Sequence, residues 1–258
     1  MPSKKKKSYR FVKLFIFLMA MVAIGAIGYI GVIWWQSRKL EFVRYEEFGI
    51  PMPAKYSIHG IDVSRYQQII SWESVKDMQV ENIKLSFAFI KATEGSGNVD
   101  PFFKRNWKKA KNAGITRGAY HFFICSKDGK KQAQNFIKRV TLETGDLPPV
   151  LDVEKTHGVP DEDIRKRVKD WLLTMEEYYG TKPIIYTNVY FYERYLEGHF
   201  DDYPLWVAHY LEAHQPRIRR DWTFWQHSEQ GRVNGIRAKV DFNVFNGDSV
   251  TFQSYLLP

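Results

Sequence analysis

The chain has 258 residues, room for one large α/β domain or two small ones. Its net charge of +9 hints at nucleic acid until the charge is located: residues 1–44 carry nine Lys/Arg against one acid, Glu41, and the other 214 carry 29 against 28. The bulk of the chain is therefore near neutral, which argues against a nucleic-acid partner, and the lone Cys125 excludes an internal disulfide and a cysteine-rich metal site.

Lys4–Lys7, Arg10 and Lys13 make residues 1–13 a basic tail. Residues 14–35 follow with no charge at all. As a helix they span about 33 Å, enough for the hydrocarbon core of a bilayer. Trp34 and Trp35 stand at the far end, where an interfacial aromatic belt belongs. The stretch is longer than the apolar region of a cleaved leader, and no small-x-small site follows it. The expectation is an uncleaved signal anchor with residues 1–13 in the cytoplasm and the rest outside. Residues 36–56, closing on Pro51-Met52-Pro53, read as a polar linker, and 57–258 as the folded domain.

From there strand and helix patterns alternate. Strands are expected at Ser57–Ser64, Leu85–Thr93, Arg117–Phe123, Pro149–Glu154 and Pro183–Asn188. Helices are expected at Ile70–Gln79, Phe102–Ala113, Gly129–Thr144, Asp161–Tyr179 and Tyr190–Leu196. Three more strands, Pro204–Tyr210, Thr223–Ser228 and Lys239–Phe245, have little helix between them. Repeated strand–helix units imply parallel strands with crossover helices, and eight strands imply closure. The predicted fold is α/β: an irregular TIM-like β/α barrel of five β/α units plus three strands, preceded by one transmembrane helix.

Such a barrel carries its site at the C-terminal strand ends. The first strand ends in Asp62, the second in Lys91 to Gly95, the third in Tyr120-His121 and the fourth in Asp152 and Glu154. The fifth ends in Tyr186-Thr187-Asn188, the sixth carries Trp206 and His209-Tyr210, the seventh Trp225-Gln226 and the eighth Asp241. Each could be a satisfied core group or a cap; the coincidence over eight strands carries the argument. Asp152 and Glu154 stand out: two apart on an apolar strand, they share a face, where like charges repel and lose hydration. A chain tolerates that for proton transfer with one carboxyl held neutral. Four carboxylates and a ring of Tyr and Trp fit glycoside hydrolysis. No His-Glu-x-x-His pair, Gly-x-Ser-x-Gly elbow or phosphate loop is present, so no metal or cofactor is expected.

In order along the chain, Gly60-Ile61-Asp62-Val63-Ser64 with Tyr66-Gln67, Phe87 to Gly95, Asp100-Pro101-Phe102, Gly118 to Phe122, Asp146 to Glu154, Tyr186-Thr187-Asn188, Leu205 to Ala208, Trp225-Gln226 and Asp241-Phe242-Asn243 resemble glycoside hydrolase family 25, the N-acetylmuramidase lysozymes. The resemblance covers about residues 57–247. It implies cleavage of the β-1,4 bond from N-acetylmuramic acid to N-acetylglucosamine in peptidoglycan. It implies Glu154 as general acid, Asp152 assisting the substrate acetamido group, and Asp62 and Asp241 as flanking carboxylates. Tyr120, Tyr186 and Trp206 match wall positions; Lys91, Gln226 and His121 are further substrate-binding candidates. The implied partner is the peptidoglycan glycan strand, reached by a monomeric domain on the periplasmic or cell-wall side. The alternatives are a non-catalytic tethered wall-binding module and a chitinase-like glycosidase. Two departures stand out: many relatives have Gly where this chain has Gln68, and the loop Gln79–Leu85 is longer than usual.

Overall fold

The computed structural model describes residues 4–37, 42–210, 212 and 215–258. Residues 1–3 of the basic tail and 38–41 of the expected linker lie outside them. The chain divides between Glu41 and Phe42. In the first unit, α1 (Lys4–Ser37) carries the apolar stretch Phe11–Trp35, with a mean hydropathy of 2.5 and no part of it buried.

The second unit opens with a hairpin of β1 (Phe42–Tyr45) and β2 (Ile50–Pro53). This corrects the linker expectation: from Phe42 onward the segment is part of the folded unit. Phe48, Ile50 and Met52 are buried. The Phe42 ring meets Trp225 edge-on at 6.2 Å, and Phe48 meets Phe242 at 5.3 Å. Composition hid this because the buried Phe48, Ile50 and Met52 alternate with Gly49 and Pro51, residues typical of turns and linkers. The hairpin seals an outer face of the barrel where β11 and β12 have no crossover helix, and beneath it lie His59 and His227, both buried. A soluble fragment must therefore begin before Phe42.

The chain continues through β3 (His59–Val63), a 3-10 turn (Arg65–Gln67), α2 (Trp72–Asp77), β4 (Gln79–Val80), β5 (Ile83–Glu94), β6 (Asn98–Val99), α3 (Phe103–Asn112), β7 (Thr116–Phe122) and α4 (Gly129–Ile137). It then forms β8 (Val150–Asp152), α5 (Asp161–Tyr179), β9 (Ile184–Asn188), α6 (Val189–Phe191) with a π turn (Tyr192–Leu196), β10 (Leu205–Ala208), β11 (Phe224–Gly231), β12 (Val240–Phe245) and α7 (Ser249–Ser254). Helix α4 stops short of Thr144, and β8 ends at Asp152 rather than Glu154.

Among the described residues, eight strands close in the order β3-β12-β11-β10-β9-β8-β7-β5, with β5 pairing back to β3. Seven run parallel; β12 is antiparallel to both neighbours. The reason is length. Residues 232–239 join β11 to β12, and a parallel neighbour needs a crossover of roughly a dozen residues or more. The reversal corrects the picture of Asp241 at a strand's C-terminal end. It stands at the start of β12, and the reversal brings that start to the mouth, where its register partner is Asp62.

The barrel interior is filled by rings. Phe87 meets Phe89, Phe224 and Phe252 with centroids 5.2–5.7 Å apart, and Phe89 stacks on Trp206 at 4.2 Å. Phe252 on α7 plugs the end opposite the mouth. Gly60 and Gly118 make room: a Cβ on either would stand 2.5 Å from Phe87 or Phe89. Near the start of β7, the buried Arg117 holds Asp146 through two hydrogen bonds of 2.7 and 3.0 Å.

Both sequence departures have a structural place. The long loop is the β4–β5 hairpin at the N-terminal end of β5, away from the mouth. Gln68 has φ +53° and ψ −123°, backbone territory that suits glycine. Its side chain is exposed. Gln68→Gly is expected to stabilise the fold by about 1 kcal/mol, relief of strain outweighing the added freedom of the unfolded chain. Thermal unfolding of the two proteins side by side checks this, and an unchanged or lower midpoint would contradict it.

Candidate active site

The mouth is built by strand alternation. Asp62, Gln226 and Asn243 point inward from β3, β11 and β12 because their neighbours Ile61, Trp225 and Phe242 are needed on the outer face. Asp62 Oδ2 accepts from Gln226 Nε2 at 2.7 Å and from Asn243 Nδ2 at 2.8 Å. Gln226 Oε1 in turn accepts from the Tyr186 hydroxyl at 2.8 Å and from Tyr210. Asn243 Oδ1 accepts from Trp206 Nε1 at 2.8 Å. The chain of donors leaves Asp62 no freedom to turn.

Asp241 shares a side-chain hydrogen bond with Asp62. Burial, then the Asp62 charge, push its pKa up to about 9, so at neutral pH it holds the proton of the pair. Asp62 is itself raised by burial, with the bonds from Asn243, Gln226 and Asp241 pulling the other way. Asp152 ends β8, is 6 % exposed, and sits well above the ordinary carboxylate range, first through burial and then through Glu154. Its Oδ1 is buried without a hydrogen-bond partner. Glu154 lies two residues beyond, half-buried. Burial raises it, Lys155 draws it down and the Asp62 charge raises it again. Four carboxyl groups thus act on one another across one mouth, with proton affinities held up chiefly by loss of water.

The predicted residues divide by depth. Glu154, Asp152, Asp62, Asp241, Tyr120, Tyr186 and Gln226 come together. Tyr120 and Tyr186, 9 % and 7 % exposed, form the floor beneath the carboxylates rather than a wall. Trp206 lies deeper still, 1 % exposed between Phe89 and Tyr186, where its role is to hold Asn243. Lys91 stands at the rim, its ammonium 2.6 Å from Glu94 and 4.6 Å from the Phe122 ring centroid. His121 does not reach the mouth. It follows Tyr120 on β7, and adjacent strand residues face opposite ways. The imidazole is fully buried under α4 and α5, between Thr93 Oγ1 at 2.7 Å and Gln132 Oε1 at 3.2 Å, stacked on Trp171.

Sequence reasoning overlooked Asn243, although period two from Asp241 places it on the same face. Of the exposed rings, it placed Tyr210 at a strand end but overlooked Tyr66 and Tyr190. Tyr66 and Tyr190 are 69 % and 70 % exposed and follow β3 and β9. Those strands are four apart in either direction around the ring, so the two tyrosines stand on opposite rims with the carboxylates between them. Tyr210, after β10, is 38 % exposed beside Tyr190's strand. The arrangement suits an elongated ligand with apolar faces crossing the mouth and meeting acid groups midway.

The sequence pattern of "Glycosyl hydrolases family 25" matches residues 61–236. The uncharacterised protein YegX of Escherichia coli K12 is 47 % identical over 211 residues, 82 % of this chain and 78 % of its own. Lysozyme M1 of Streptomyces globisporus is 35 % identical over 207 residues, 74 % of this chain and 69 % of its own. The solved structure of a family 25 glycosyl hydrolase from Bacillus anthracis superposes with a TM-score of 0.73 at 34 % identity, covering 83 % of this chain and all of that one.

Proposed function

The chain belongs to family 25 of the glycosyl hydrolases, and from that premise we propose that it is a muramidase, hydrolysing the β-1,4 bond from N-acetylmuramic acid to N-acetylglucosamine in peptidoglycan. The observation that carries the reading is the convergence of Asp62, Asp152, Glu154 and Asp241, each raised by burial, between exposed tyrosines. We read the closed sheet with helices outside it as a variant TIM-like barrel.

Glu154 is the half-exposed member, open to substrate, and burial keeps its proton available. It protonates the oxygen between the sugars as the bond to the anomeric carbon breaks. Asp152 offers its unpartnered Oδ1 to the N–H of the 2-acetamido group. Held so, the acetamido carbonyl oxygen attacks the anomeric carbon from the opposite face. Water then opens the ring so formed, giving its proton to Glu154 and restoring the acid. Asp62 and Asp241, sharing one proton, set the negative charge that stabilises the developing cation.

We further place residues 14–35 across a membrane, with the basic tail in the cytoplasm and the barrel outside. Support comes from the exposed apolar helix and the lysines before it. The full chain, extracted from membranes with detergent, is incubated with purified peptidoglycan and the products are reduced with borohydride before mass spectrometry. Reduced N-acetylmuramic acid ends are expected. Reduced N-acetylglucosamine ends would move the cut, and sedimentation on the wall without products would favour a tethered binding module. Recovery of the chain from the medium instead of the membrane would refute the anchor.

A further inference from the structure

Beside the carboxylate mouth, between the turn after β3 and the β5–β6 hairpin, lies a cleft of about 490 Å³. It is lined by Arg65, Lys91, Glu94, Asn98, Val99 and Asp100, among others. The charges in it are not equivalent. Lys91 and Glu94 neutralise one another at 2.6 Å. Asp100 is 7 % exposed and committed to backbone: Oδ2 accepts from the Arg65 N–H at 2.7 Å and Oδ1 from the Phe102 N–H at 2.9 Å. It fixes the loop that presents Arg65. Arg65 itself is exposed, with its guanidinium carbon 5.4 Å from the centroid of the Tyr66 ring. Among the described residues no carboxylate lies within ion-pair distance of it. A planar cation, steadied by a ring and facing open space, is a site for bidentate capture of a carboxylate.

The substrate class supplies one. The sugars of a peptidoglycan strand are joined as neutral N-acetyl units, but each peptide stem ends in carboxylates. Such a strand must cross a mouth that already holds four acid groups, and the cleft opens on the same end of the barrel: Arg65 follows Asp62 by three residues, and Lys91 pairs with Tyr120 on β7, the strand that pairs with β8 and Asp152. The cleft is thus close enough to the cut for a stem on a bound sugar to enter it. We propose that the cleft beside Arg65 is a subsite for the carboxylate of a peptide stem, with Tyr66 beneath the sugar that carries it. The enzyme is then selective for strands bearing charged stems. This rests on the muramidase reading.

The test compares peptidoglycan with native stems against the same material whose stem carboxylates have been converted to neutral amides by carbodiimide coupling. The full-length protein in detergent is expected to show kcat/KM about tenfold higher on native strands, the size of one charge-assisted contact at an open site, carried in KM. In Arg65→Ala that ratio falls to about one, and Arg65→Lys restores part of it, since charge remains and the fork is lost. Equal rates of wild type on both materials, or an Arg65→Ala variant that keeps the ratio, would overturn the subsite. Binding of a soluble disaccharide–tripeptide and its amidated form, followed by calorimetry, reads the same preference without catalysis. If wild type cleaves neither material, the muramidase reading fails, and the binding ratio still decides the subsite: lost in Arg65→Ala it stands, absent in wild type it falls.

Discussion

Glu154→Gln is expected to lower kcat for glycan cleavage by about 10³-fold, within the range that a positioned general acid contributes, while leaving the fold intact. The amide has the shape of the carboxyl group but no proton to give to the leaving oxygen. Stability should not suffer, because what is removed is a group that burial and the Asp62 charge already hold away from its ionised form. Initial rates on purified peptidoglycan, read with thermal unfolding of the same samples, separate loss of chemistry from loss of structure. A variant that keeps more than about a tenth of wild-type kcat would assign the acid elsewhere, with Asp152 the next candidate. A variant that fails to fold would make Glu154 a structural group, contrary to its half-exposed place beyond the end of β8.

The carboxylates were legible in the sequence because they break a pattern. Asp152 and Glu154 interrupt a run of apolar residues, and no solvated face explains both. Depth was less legible. Trp206, Tyr120 and Tyr186 are aromatic residues at strand ends, and sequence does not distinguish a ring lining a cleft from one lying under it; only their burial in the folded barrel separates the two. His121 was misplaced for a simpler reason, since a residue next to an inward Tyr120 must face outward. The direction of β12 was available from its short connection to β11, once length is weighed against what a parallel crossover needs. The N-terminal hairpin was hidden because it covers a face whose bareness shows only in three dimensions. Gln68 shows the converse: a departure from glycine noticed in sequence is, in the structure, a backbone angle.

Asp241→Asn is expected to make the protein more stable at alkaline pH and to flatten its pH dependence. In the unfolded chain this carboxyl loses its proton near the ordinary aspartate value of 3.8, whereas in the fold it holds it to about 9. Between those limits the folded state binds one proton more than the unfolded state, so its contribution to stability is fully present below pH 4 and is lost as pH rises toward 9. Asn keeps the donor that Asp62 accepts from, yet cannot ionise. Its midpoint of unfolding should exceed that of wild type by at least ~2 °C at pH 8.5 and converge with it near pH 4. The acid side is governed by other groups. His59 and His227 are buried beneath the N-terminal hairpin with pKa values lowered to about 4 and about 3 by loss of water. Their contribution is present above pH 6.5 and is lost as pH falls through those values, in both proteins alike. A wild type whose stability does not decline from neutral pH to pH 8.5, or a variant that declines in parallel with it, would show that Asp241 does not hold the shared proton. The proton would then rest on Asp62, whose affinity burial also raises, or on neither carboxyl. The choice matters for the chemistry: the pair contributes one negative charge to the oxocarbenium-like state while its second carboxyl stays neutral, and burial is what keeps it so.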